Sequence, residues 1–151
     1  MPITRCLWFL IVLSAASAVN AIGFDTPEDA VRALEQAYSQ KNADAVIAAL
    51  DFLEGGRQML QETNPLLAND PETIRHTADI LERSFRNELR TNGFPDFSTP
   101  KCSFLGKTQL APGLIKLNEQ CVFPDGGKSV HDLIVMKRDP GWRVVAVAPV
   151  F

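Results

Sequence analysis

Histidine, cysteine and tyrosine are scarce in this chain, and their scarcity removes several kinds of chemistry at the outset. Two histidines, three cysteines and one tyrosine stand among 151 residues. Two histidines, His76 and His131, do not furnish the His-rich ligand sets of zinc sites. His76, Asp79 and Glu82 share one helical stretch, but their i, i+3, i+6 spacing drifts round the cylinder, so no metal or other cofactor is expected. Nucleophile elbows and glycine-rich phosphate loops are missing. Basic charge is also lacking: the net charge is −3, and no block of like charge appears. A nucleic-acid binder should carry a basic stripe, so nucleic acid is excluded as a partner. No internal repeat or low-complexity tract divides the chain. Its one long apolar run, from Cys6 to about Ala18, is shorter than the ~20 residues that span a bilayer.

That run has another explanation. MPITRCLWFLIVLSAASAVNA joins one basic residue, Arg5, to an apolar segment and then to small residues at Val19 and Ala21. This is the pattern of a secretory signal peptide over residues 1–21. Cys6 stands at the start of the apolar run, whereas a lipoprotein cysteine would follow it. Cleavage after Ala21 leaves residues 22–151 as a single domain, periplasmic or secreted, with no membrane attachment after signal removal. Loss of Arg5 makes the mature protein one charge more negative.

Helical spacing fills the first half of that domain. In DTPEDAVRALEQAYSQKN, Thr26 suits an N-cap, Pro27 the first helical position, and Glu28 and Asp29 the first turn. Val31, Leu34 and Tyr38 recur on one helix face. A break near Asn42 leads to a second helix with Val46, Ile47 and Leu50 as its stripe, which the sequence stops at Gly55-Gly56. RQMLQETNPLLAN reads as a poor helix interrupted at Asn64-Pro65. Asp70-Pro71-Glu72 starts a longer helix with Ile74, Ala78, Leu81, Phe85 and Leu89 inward and Asp79/Arg83 and Glu82/Arg86 as surface pairs. Asn92-Gly93 ends it.

Beyond Gly93 the pattern becomes strands and tight turns. LAPG, PDGG and RDPG separate Val-, Ile-, Leu- and Phe-rich runs, predicting an antiparallel meander of residues 101–109, 114–123, 128–137 and 142–150. The fold class is therefore α+β, with N-terminal helices packed on one face of the meander. If the first hairpin centres on Ala111-Pro112, Cys102 lies opposite Cys121, and directly paired residues are near enough for a disulfide. A redox pair would more commonly read C-x-x-C, so Cys102 and Cys121 are expected to be a structural cross-link.

One face of residues 114–123 carries Ile115, Leu117, Cys121 and Phe123, with Glu119 among them. Treating PDGG as a four-residue loop sets Asp132 opposite Glu119. Val130, Ile134 and Met136 then share the covered face, Val147 follows through RDPG, and Phe104 meets Glu119 across the first hairpin. Two carboxylates at close range in a low-dielectric pocket push one pKa upward, as in acid/base dyads. A bulge at PDGG would part them. Phe104, Glu119, Asp132 and Tyr38 are thus the candidate pocket residues, and His131 falls on the other sheet face. That other face holds Leu133, Val135, Trp142 and Val144, a candidate surface for a protein partner or a homodimer with Trp142 as anchor.

TPEDAVRALEQAYSQKNADAVIAAL followed by DLIVMKRDPGWRVVAVAPV resembles the opening helices and the last hairpin of the NTF2-like (cystatin-like, SnoaL-like) superfamily, here a small exported bacterial member. The resemblance implies a curved sheet wrapped by helices round a pocket, the NTF2-like cone. It spans isomerases, dehydratases, epoxide hydrolases, transport factors and immunity proteins, so it does not by itself name an activity. Steroid-isomerase-like members place a tyrosine where this chain has Glu35, and a base aspartate where residues 53–61 offer only Glu54. The departure favours an exported, non-enzymatic domain that binds a small apolar ligand or a toxin-like protein partner, as a periplasmic immunity protein does. The alternative is a lyase, isomerase or hydrolase acting through Glu119 and Asp132.

Overall fold

Side-chain caps set three of the four helices where the sequence places them. The computed structural model describes residues 23–146; the expected signal sequence, Val147 and the end of the last expected strand lie outside the described residues. Thr26 accepts a hydrogen bond from the Asp29 amide at 3.1 Å and Pro27 opens α1 (Pro27–Ser39). Asn42 caps α2 (Ala43–Ala49) through the Ala45 amide at 3.0 Å, and Asp70 caps α4 (Pro71–Asn92) through the Thr73 amide at 2.9 Å. Each side chain satisfies an amide that the helix leaves without a partner.

The region between α2 and α4 departs from expectation. After the short strand β1 (Leu50–Asp51), α3 (Phe52–Thr63) runs through both glycines that the sequence reads as a stop. Gly55 and Gly56 are contact residues rather than turn residues. A Cβ on Gly55 would lie 2.0 Å from the Ala146 carbonyl oxygen, and one on Gly56 would lie 3.1 Å from the Ile74 carbonyl oxygen of α4. The glycines cost roughly 1 kcal/mol each in helix propensity and let α3 approach both neighbours. A 3-10 turn, Pro65–Leu67, then links α3 to α4.

Four strands form the expected meander: β2 (Lys101–Ala111), β3 (Leu114–Val122), β4 (Lys128–Lys137) and β5 (Trp142–Val145). β1 joins β5 in parallel, so the curved, unclosed sheet is mixed, in the order β1-β5-β4-β3-β2. The helices cover one face. Val31 and Leu34 of α1, Val46 of α2 and Leu81 of α4 meet Leu117, Val135 and Val144 of the sheet, with Phe52 edge-on to Phe85 at 5.9 Å. No helix among the described residues is long and apolar enough to cross a membrane.

The three hairpins decide which side chains enter that core. Cys102 pairs with Cys121 and Phe104 with Glu119 as expected, and the cysteines form a disulfide with an S–S distance of 1.98 Å. Two bulges beyond Phe104, at Leu105 and Leu110, then let the hairpin close on Pro112-Gly113. The RDPG turn also keeps its expected register, with Val135 opposite Val144.

At PDGG the register slips by one. Gly126 takes φ 85°, its amide donates to the Phe123 carbonyl at 2.9 Å, and the Phe123 amide donates to the Gly127 carbonyl at 2.8 Å. Gly127 thereby rejoins the ladder and the loop is Pro124-Asp125-Gly126, the three-residue form that a left-handed glycine permits. A one-residue slip turns every side chain of a strand over. Glu119 consequently faces His131, and Asp132 faces Asn118. Leu133, Val135, Trp142 and Val144 lie beneath the helices: Val135 and Val144 are buried, and Leu133 and Trp142 pack against the core. The anticipated partner surface is the inner face of the sheet.

Candidate functional site

α1 carries Arg32 and Glu35 one position beyond its Val31–Leu34–Tyr38 stripe, so both side chains reach the sheet. Arg32 Nη1 donates to Glu35 Oε2 at 2.6 Å and to Glu119 Oε1 at 2.8 Å. Its Nη2 donates to the Cys102 carbonyl at 3.2 Å, and its guanidinium lies 4.3 Å from the centre of the Phe104 ring. Glu119 is 2% exposed. A carboxylate pair therefore exists beneath the helices, but the partner of Glu119 is Glu35 of α1 and not Asp132 of β4.

The electrostatics follow from that enclosure. Burial pushes the Glu119 carboxyl up, the charge of Glu35 and a hydrogen bond with it push further, and Arg32 opposes them only in part. The result is about 7. Glu35 Oε1 is buried without a hydrogen-bond partner. This pair can hold one proton between two acids, as coupled carboxylates do. It cannot readily deliver that proton to a ligand, because Arg32 and Phe104 close over Glu119. Glu35, Glu119 and the two cysteines also lie within 4.8 Å of one another. The sulfurs are consumed in the disulfide, and Arg32 already supplies the cation.

The remaining expected residues are dispersed. Asp132 sits on the outer face, accepting a hydrogen bond from Asn118 and pairing with Lys116 at 3.2 Å. Tyr38 stacks on Phe97 with ring centres 5.4 Å apart, and burial pushes its hydroxyl up to about 12. It lines a separate small cavity of about 280 Å³ with Phe94 and Asp96. His131 shares the inner side with Glu119 but is exposed, bonded to Ser129 at 2.9 Å. Glu82 pairs with Arg86 at 2.9 Å as expected, whereas Arg83 donates to the Asp79 backbone carbonyl at 3.2 Å.

A second ionic assembly occupies the other end of the sheet. Asp51 caps α3 through the Glu54 amide at 2.8 Å and accepts from Arg138 Nε of the RDPG turn at 2.6 Å. Glu54 accepts from Arg57 at 2.5 and 3.1 Å and from Gln58 at 3.0 Å, and Arg138 approaches it at 3.7 Å. Both acids are buried, at 4% and 3% exposure. Above them lie two adjoining cavities of about 540 Å³ each, which share Leu53, Arg75 and Arg138. One is walled by α2, α4 and β5 through Ile47, Ala78 and Arg143, the other by Pro71, Ile74 and Arg57. This is the range of volumes in which proteins hold small molecules. Sequence reasoning missed Arg32 and Arg138. The first signalled itself by a charge beside an apolar stripe, and the second was hidden in a turn.

The domain is α+β, with its helices first and a curved mixed sheet behind them. No family model matches the chain, and no curated protein matches it. Among solved structures it is similar to a Campylobacter jejuni protein provisionally described as an NTF2-like transpeptidase, with 14% sequence identity, 81% of this chain and 99% of that one covered, and a TM-score of 0.45.

Proposed function

We propose that this protein is an exported NTF2-like binding domain whose ligand lies in the cleft between α3, α4 and the β4–β5 turn. The observation that carries the reading is the pair of adjoining cavities joined through Leu53, Arg75 and Arg138. Leu53 is 50% exposed there, an apolar side chain held at the mouth of an open cleft rather than in the core. The disulfide supports an oxidising compartment, in keeping with the leader-like first 21 residues. The concave side of the sheet is a weaker candidate, because Arg32 and Phe104 enclose its acids. A toxin-directed immunity role draws nothing from Leu133, Val135, Trp142 and Val144, which the helices cover.

The test is native mass spectrometry of protein extracted without denaturation, comparing wild type, Leu53→Ser and Glu119→Gln. A bound small molecule should accompany wild type and Glu119→Gln and be lost from Leu53→Ser. Retention in Leu53→Ser with loss in Glu119→Gln would move the site to the concave face.

A further inference from the structure

The charges lining the two cavities differ, and the difference bears on what each can hold. Asp51 and Glu54 are both engaged: Asp51 by Arg138, Glu54 by Arg57, Gln58 and, more distantly, Arg138. Of the two, only Glu54 lines the cavity formed by α3, the start of α4 and the β4–β5 turn, and three arginines stand round it: Arg57, Arg75 and Arg138. Arg75 is the surplus. It is exposed, it lines both cavities, and it has no hydrogen-bond or ion-pair partner among the described residues. Beside it the lining is apolar, with Leu53, Pro71 and Ile74. The neighbouring cavity is more acidic: Asp51, Asp79, Glu82 and Asp139 line it with Arg75, Arg138 and Arg143, and Glu82 is paired with Arg86.

A guanidinium is a planar fork of five donors that matches a carboxylate bidentately. An unengaged one next to an apolar floor is complementary to a ligand with one anionic head and a short hydrocarbon body. Resting on the binding reading above, we infer that the cavity between α3, the start of α4 and the β4–β5 turn takes a small amphiphilic carboxylate, its head on Arg75 and its chain over Leu53 and Ile74. The two buried acids beneath serve the site indirectly, since they hold Arg138 and Arg57 at its wall and prevent either from folding over the floor. A cation or an uncharged apolar ligand would leave the Arg75 guanidinium without the partner that the geometry invites.

Octanoate and octanol, which share their chain and differ in the head, are the probes, with acetate as the head alone. Calorimetric titration of the full mature chain should give octanoate binding at least about tenfold tighter than octanol, the usual worth of a charge-assisted hydrogen bond, and no measurable acetate binding. Arg75→Gln should bring octanoate down to the level of octanol without altering octanol. Leu53→Ser should weaken both. Equal binding of octanoate and octanol to wild type, or unchanged octanoate binding in Arg75→Gln, would overturn the anionic class, and so would failure of both probes to bind. In each case the natively bound molecule seen by mass spectrometry still judges the site independently. Both substitutions fall on exposed side chains, so retained folding is expected and is checked by circular dichroism.

Discussion

At Glu119, burial and the charge of Glu35 compete with the attraction of Arg32, and the upward shift to about 7 says that the first two prevail. Unfolded, the same carboxyl titrates near its ordinary value of about 4.3. Between those two values the native protein binds more protons than the unfolded chain, so stability should fall as pH rises from about 4.5 to about 7, and Glu119 should contribute no further change above that. Glu119→Gln removes the dependence. In urea melts it should match wild type near pH 4.5 and exceed it at pH 8 by something on the order of 1 to 3 kcal/mol. A wild type that gains on the variant as pH rises would mean that the attraction of Arg32 outweighs burial and the charge of Glu35. Arg32→Ala should act in the other direction. It strands two acids under α1, and at pH 8 the loss should approach about 3 kcal/mol, shrinking at pH 5 where Glu119 takes a proton. Melts at the two pH values check that too. That Glu119 sits beneath the helices was legible from one charge on the apolar face of β3. Its partner was not, because a helix residue facing a strand leaves no periodic mark in either segment.

Among the elements, the hairpins show how narrow the margin of legibility is. The strand runs, the Cys102–Cys121 pairing and the RDPG register all followed from alternation and turn residues. The PDGG loop did not. Two adjacent glycines allow either a four-residue loop or a three-residue loop closed by a left-handed Gly126, and the hydrophobic pattern of β4 scarcely discriminates, since Val130, Ile134 and Met136 on one side are as apolar as Leu133 and Val135 on the other. Burial by α1 and pairing with β5 settle the matter in the fold, through contacts distant in sequence. Gly55-Gly56 fails to be read for a related reason: a glycine kept for close approach looks the same as one kept for a turn. The two uses differ under substitution. Gly55→Ala sets a methyl against the Ala146 carbonyl and should destabilise by about 1 to 3 kcal/mol, as overpacking does, whereas a turn glycine of ordinary φ would tolerate it; thermal melts distinguish them. Removing the cross-link by Cys102→Ala with Cys121→Ala should cost about 3 kcal/mol for a pair 19 residues apart. Ligand binding should survive in molecules that remain folded, since the staple and the cleft are built from different strands.

Taken whole, the molecule separates its two ionic assemblies. Arg32, Glu35 and Glu119 fasten α1 to β3 beside the disulfide, while Asp51, Glu54, Arg57 and Arg138 fasten α3 to the β4–β5 turn below an open cleft. The first is closed and structural, whereas the second borders a space that a ligand can enter. Hydrogen exchange on natively extracted protein, before and after its ligand is stripped by dialysis, tests this division most directly. Ligand-dependent protection should concentrate in residues 50–57, 71–83 and 138–143, with residues 102–104 and 119–121 unchanged. Protection gained at 102–104 and 119–121, with the α3–α4 end indifferent, would contradict it.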